Sequence, residues 1–160
     1  MDRFTITVDD KELLAYLGQA EARADNMSPV MGDISLVLAD GIEQAFADQA
    51  APDGTPWEKL RDSTIAARKR KGYWPGKIGQ QTGRLASSIV PDHGPTFAAA
   101  GTNVEYARTF FFGAERGEFG STKHGVPIPW GDIPGRQGLG LSQDGTDEIV
   151  SLLAAYVAGR

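Results

Sequence analysis

Met31, Ile34, Leu38, Ile42, Ala45 and Phe46 recur at steps of three and four, which places them along one side of an α-helix. A stripe of that length must be covered, so the chain is committed to a fold in which one long helix carries much of the core. Ser28 before Pro29 marks its start, because the missing N–H of proline costs nothing in a first turn. Gly41 interrupts the stripe at about 1 kcal/mol, which predicts either close packing there or a local weakness.

Several elements are available to cover it. Phe4, Ile6 and Val8 alternate with Thr5 and Thr7, the period of a short strand with one buried face. Asp9 with Glu12 reads as a capping box opening a helix through KELLAYLGQAEARA, with Leu13, Leu14 and Leu17 on its apolar side. LRDSTIAARKRKG reads as a helix capped at Asp62 or Ser63 and stopped by Gly72. RLASSIV reads as a strand ended by Pro91 and a His93-Gly94-Pro95 turn, and FAAAGTNV as its partner strand. YARTFFFG fits a strand or a short helix. Thr146 before Asp147 and Glu148 caps a final helix striped with Ile149, Leu152, Leu153 and Tyr156. The expected class is α+β, a small antiparallel sheet packed against the long helix and further helices in one domain spanning residues 1–160.

Two connections stand out. PDGTPW, residues 52–57, is turn punctuation that nevertheless carries a tryptophan. Large aromatics are mostly buried, so the plainer reading folds Trp57 back onto its own core; the sharper one presents it to a partner. We expect an anchor of the turn whose outer edge is shared with a neighbour. Residues 113–140 are rich in glycine, contain Pro127, Pro129 and Pro134, and carry Phe119, Ile128, Trp130 and Ile133. Loops beyond about 12 to 15 residues tend to be functional or disordered, and the apolar groups this one has to bury lead us to expect an arm that orders on a neighbouring subunit.

Charge is unevenly spread. Residues 59–84 hold eight basic side chains against Asp62 alone, a net of +7 that leaves −12 for the remainder of a chain whose total is −5. Opposed patches suit docking onto another protein or onto copies of the same chain. Arg68, Lys69, Arg70 and Lys71 cluster at a helix C-terminus, where the helix dipole alone favours cations. Beside them Tyr73 and Trp74 could stack on bases, which keeps a DNA-binding module using segment 59–84 as the alternative of another class. The overall acidity opposes polyanion binding.

Nothing in the sequence asks for catalysis, a cofactor or a metal. Cysteine is absent, which excludes disulfides, thiolate chemistry and cysteine-bound zinc. His93 and His124 lack metal-ligand spacing, and Ser87 and Ser88 lack a nucleophile-elbow sequence. GLGLSQDG lacks the lysine of a phosphate-binding loop and reads as a flexible approach to the last helix. No apolar run approaches the roughly 20 residues of a membrane span, so a soluble chain that stays where it is made is expected.

The order of four pieces is more specific than any one of them. PDGTPWEKL with Phe46 before it and Thr64 after it, then QTGRLASSI at 81–89, GTNVEYART at 101–109, and IPGR at 133–136 before GLS and a last helix resemble the phage virion morphogenesis family, the tail-completion proteins of Mu-like tailed bacteriophages. The resemblance covers roughly residues 30–157 and is carried by the turn, Leu60, Thr64, Gly83, Leu85, Tyr106 and Arg136. It implies a structural virion protein of the head-to-tail connection or of tail completion, a ring of identical subunits in the neck or upper tail, or alternatively a terminator capping the tail tube. A hexamer is the expected ring, made in the host cytoplasm, with other neck and tail proteins as partners, no membrane, and DNA passing through the channel without specific binding. The candidate interface residues are Trp57, Arg68, Lys69, Arg70, Lys71, Trp74, Phe119, Trp130 and Arg136. One departure stands out: many relatives follow IPGR with an aromatic-leucine pair, where this chain has Gln137, Gly138 and Leu139.

Overall fold

Proline in the first turn and a left-handed residue at the far end bound the central helix. In the computed structural model, which describes residues 9–160, helix α2 runs over Ser28–Asp48 and closes at Gln49 with φ 58°. It buries Val30, Ile34, Ser35, Ala39, Ile42, Ala45 and Phe46, the expected stripe shifted slightly toward its smaller members. The expected strand at Phe4, Ile6 and Val8 lies outside the described residues. Helix α1 spans Lys11–Asp25 as anticipated, but the capping box does not form: Asp10 occupies the N-cap without a side-chain bond, and Asp9 only accepts from the N–H of Lys11.

The helix α1 also buries no residue; Leu13, Leu14 and Leu17 remain exposed. It leans on the last helix, α5 (Gln143–Ala158), where Arg23 donates to the carbonyl of Val157 and the Tyr156 hydroxyl donates to that of Asn26. Helix α5 begins three residues before the expected cap, because Ser142 is the N-cap and accepts from the N–H of Gly145. The GLGLSQDG stretch is therefore partly the first turn of a helix.

The sheet is a two-stranded antiparallel hairpin, β1 (Val90–Gly94) and β2 (Phe97–Gly101), paired from Val90 with Gly101 to Gly94 with Phe97. This corrects the expected strand over RLASSIV. Residues Ala86–Ser88 form a 3₁₀ turn, where the Ser88 hydroxyl bonds the Leu85 carbonyl, and the strand instead runs through Pro91. The hairpin tolerates that proline because both its strands are edges. Helix α2 crosses both strands and also packs on α5; Gly32 leaves room for the His93 ring against the helix.

The basic helix α3 spans Asp62–Arg70, with Arg61 rather than Asp62 or Ser63 at the N-cap. YARTFFFG resolves to a short helix, α4 (Ala107–Phe112). The core gathers Ile42, Ala45, Phe46, Trp57, Leu85, Val104, Ala107 and Phe111, so the PDGTPW turn, the loop before the hairpin and α4 close over the C-terminal half of α2. Among the described residues no helix is long and apolar enough to cross a membrane.

Candidate assembly surface

The turn that raised the question of Trp57 is built by its own punctuation. The Asp53 carboxylate accepts from the N–H of Thr55, Gly54 takes φ +84°, and the Trp57 N–H donates to the Gln49 carbonyl. The same Thr55 bonds hold the exposed Asp53 carboxyl below its ordinary pKa. Trp57 is then driven inward, to 6 % exposure. Its ring meets Phe46 and Phe110 edge-on, each at a centroid distance of 5.4 Å, and its indole N–H donates to the Gln137 carbonyl at 2.8 Å. No edge of Trp57 is left for a neighbour, which corrects the shared-edge expectation.

The departure after IPGR has its reason at this point. Gly138 is buried, and a Cβ there would sit 2.9 Å from the Phe111 ring and 3.3 Å from that of Trp57. In this chain the two aromatics already fill the space, so a side chain larger than hydrogen has no room.

Two of the candidate cations are also interior. Arg68 and Arg136 are each 7 % exposed. Arg68 donates to the Lys77 carbonyl at 2.9 Å, tying the end of α3 to the loop that follows. Arg136 donates to the carbonyls of Pro134 and Glu58 and lies 5.9 Å from the Phe110 ring centroid. Burial lowers the pKa of both guanidiniums; for Arg136 the charge of Glu58 opposes that shift and Arg68 adds to it. Both Nε atoms are buried without a hydrogen-bond partner. Through these bonds both arginines hold loops together.

The other candidates face outward. Lys69, Arg70 and Lys71 are exposed at the end of α3, with Tyr73 and Trp74 partly exposed beside them. Phe119 and Trp130 project from the glycine-rich segment, Trp130 at 69 % exposure. That segment is not a bare arm. It closes on itself through bridges between Ala114 and Ile133 and between Ser121 and Pro127, and the Phe119 N–H donates to Ile128. Its base is pinned where the Arg136 N–H donates to the Phe110 carbonyl.

Sequence reasoning missed two features. Gln49, left-handed at the end of α2, bonds Phe46 and both the N–H and the carbonyl of Ile78 through its side chain; only the helix end at that position hinted at it. The second is a groove of about 480 Å³ between α2 and α5 bordered by Asp40, Glu43, Asp144 and Glu148. These carboxylates are distant in sequence, and only the packing of α5 on α2 assembles them. Among the described residues no cluster of histidines and carboxylates could hold a metal ion.

Comparison with known proteins gives this surface a context. Residues 8–158 match the phage virion morphogenesis family. The chain is similar to protein G of Escherichia phage Mu, a protein named for capsid assembly, at 35 % identity over 126 residues, covering 78 % of this chain and 76 % of that one. It is also similar to the Mu-like prophage FluMu G protein 1 of Haemophilus influenzae, at 32 % identity over 119 residues, covering 73 % and 70 % of the two chains. No solved structure matches the chain significantly.

Proposed function

We propose that this chain, which belongs to the phage virion morphogenesis family, is a non-catalytic subunit of the head-to-tail connection or of tail completion, working as a ring of identical copies in the neck or upper tail. A role in building the virion comes with the family. The ring is supported by two oppositely charged features carried on different elements of one subunit. The exposed cations Lys69, Arg70 and Lys71 end α3, while the Asp40, Glu43, Asp144 and Glu148 groove lies between α2 and α5. A closed ring needs heterologous contacts, one face meeting a different one on the next copy. Opposite charge steers such contacts and fixes their register.

The test is a lysate lacking this protein, in which free filled heads and free tails are counted by electron microscopy before and after the purified protein is added. Separate heads and tails that join on addition are the expected result. Normal infectious particles without the protein would remove the proposal.

The triple change Lys69→Ser/Arg70→Ser/Lys71→Ser addresses the ring contact. It should abolish addition-dependent joining while shifting the melting temperature by no more than about 2 °C, because exposed charges contribute little to stability. The exposed Tyr73 and Trp74 beside these cations favour the DNA-binding reading as a second one. DNA binding that falls steeply with salt, lost in the triple variant, would move that reading to first place.

A further inference from the structure

The chain after the PDGTPW turn and the returning limb of the glycine-rich segment face each other across a groove of about 280 Å³. Its walls are apolar, formed by Leu60, Ile133 and the outward-facing Trp130. Three cations, Lys59, Arg61 and Arg136, border it against one carboxylate, Asp132. Asp132 is already engaged, accepting from the Arg116 N–H at 2.8 Å.

Arg136 is the unusual member. A guanidinium offers five donors and a permanent charge, yet Arg136 makes only two bonds here, both to backbone carbonyls and both longer than 3.1 Å. Among the described residues no carboxylate side chain bonds it, and its Nε is buried without a partner. The charge of the exposed Glu58 opposes the cost of burying this cation only in part, and a carboxylate arriving at the groove would offset more of it.

We propose that this groove docks an extended, carboxylate-bearing peptide segment of another virion protein. The carboxylate sits among Lys59, Arg61 and the rim of Arg136, and a flanking apolar side chain lies on Trp130 and Leu60. The charge balance excludes a cationic segment. The groove is short and apolar-walled on a chain of net charge −5, which disfavours nucleic acid, whose binding needs a basic track along many phosphates. Assignment to a different protein rests on the assembly reading above, because the self-contact proposed there uses the end of α3 and the α2–α5 groove instead.

The test is peptide binding to the full chain, followed by the ¹H–¹⁵N signals of the Trp130 indole and the Arg136 side chain. The probes are acetyl-Gly-Leu-Glu-Leu-Gly-amide and its counterpart with glutamine in place of glutamate. We expect saturable shifts of both signals with the glutamate peptide and at least about tenfold weaker binding of the glutamine one, since charge-assisted bonds are the stronger kind. The double variant Lys59→Gln/Arg61→Gln, both exposed positions, should keep the folded spectrum and lose that preference. Equal binding of the two peptides, or no shift of either signal, overturns the proposal. So does a shift of the same signals on diluting the protein alone, which would make a second copy the occupant. None of these readings depends on ring formation, so failure here and failure of the assembly role are separable.

Discussion

Trp57→Phe separates a core tryptophan from an interface one. The change removes the indole N–H that donates to the Gln137 carbonyl at 2.8 Å, a net loss of about 0.5–1.5 kcal/mol. It also shrinks a ring packed edge-on against Phe46 and Phe110, where each aromatic pair contributes about 0.5–1.5 kcal/mol beyond burial. The gap left behind cannot collapse freely, because Gly138 and Phe111 already press on the same space. Together these give about 2–4 kcal/mol. At roughly 2–4 °C per kcal/mol for a domain of this size, the melting temperature of the isolated chain should fall by about 4–16 °C. Thermal and urea melts measure it, and acrylamide quenching adds a control. Of the three tryptophans Trp57 is the buried one, so the variant should lose the shielded part of the fluorescence. A melt within about 1 °C of the parent combined with failed assembly would refute the reasoning and make Trp57 a contact residue.

The remaining predictions concern the backbone and one carboxylate. Gly41→Ala should stabilise by about 0.5–1 kcal/mol in urea melts, because the added Cβ would lie at an ordinary 3.6 Å from the Gly140 carbonyl oxygen and the helix would lose a flexible residue. Gly113→Ala should destabilise by about 2 kcal/mol or more: φ is +80°, and a Cβ there would meet the Ile133 oxygen at 2.5 Å and the Gly135 nitrogen at 2.7 Å. Asp53 has a lowered folded pKa through its Thr55 bonds, so its contribution is present above its unfolded pKa and is lost as pH falls through the folded one. Asp53→Asn should accordingly flatten the acid limb of the stability curve below about pH 4, as followed by thermal melts across pH.

Much of the fold was legible because it rests on helical periodicity. The stripe of α2, the α1 and α5 stretches, and the partner strand at Phe97–Gly101 follow from spacing and stop signals. Where the reading slipped, a local bond outweighed a pattern. The RLASSIV segment has strand composition, but Ser88 can bond back to the Leu85 carbonyl, and with the Ser88 and Thr102 hydroxyls 2.6 Å apart the chain turns before it extends. Ser142 took the cap expected of Thr146 because its hydroxyl reaches the Gly145 N–H. The exposed apolar face of α1 could not be foreseen, since periodicity states that a helix has a face and not what covers it.

The basic run shows most clearly how one sequence feature divides between folding and surface. Arg68 to Lys71 are four adjacent cations, indistinguishable by composition, yet helical phase turns only the first inward. Arg68 reaches the Lys77 carbonyl, Lys77 in turn donates to the carbonyl of Ala47 at the end of α2, and Gln49 holds Ile78 next to it. The loop between α3 and the 3₁₀ turn is thereby fixed to α3 once and to the end of the central helix at two consecutive residues, Lys77 and Ile78. Its consequence for assembly is positional: Lys69, Arg70 and Lys71 stand on a helix end whose orientation is set by a buried side chain. A surface contact made by these three would therefore be presented in one geometry by every copy, which is the condition a closed ring imposes. Removing Arg68 together with its neighbours would confound the two roles, and the three exposed cations alone are the ones whose loss reports on the contact.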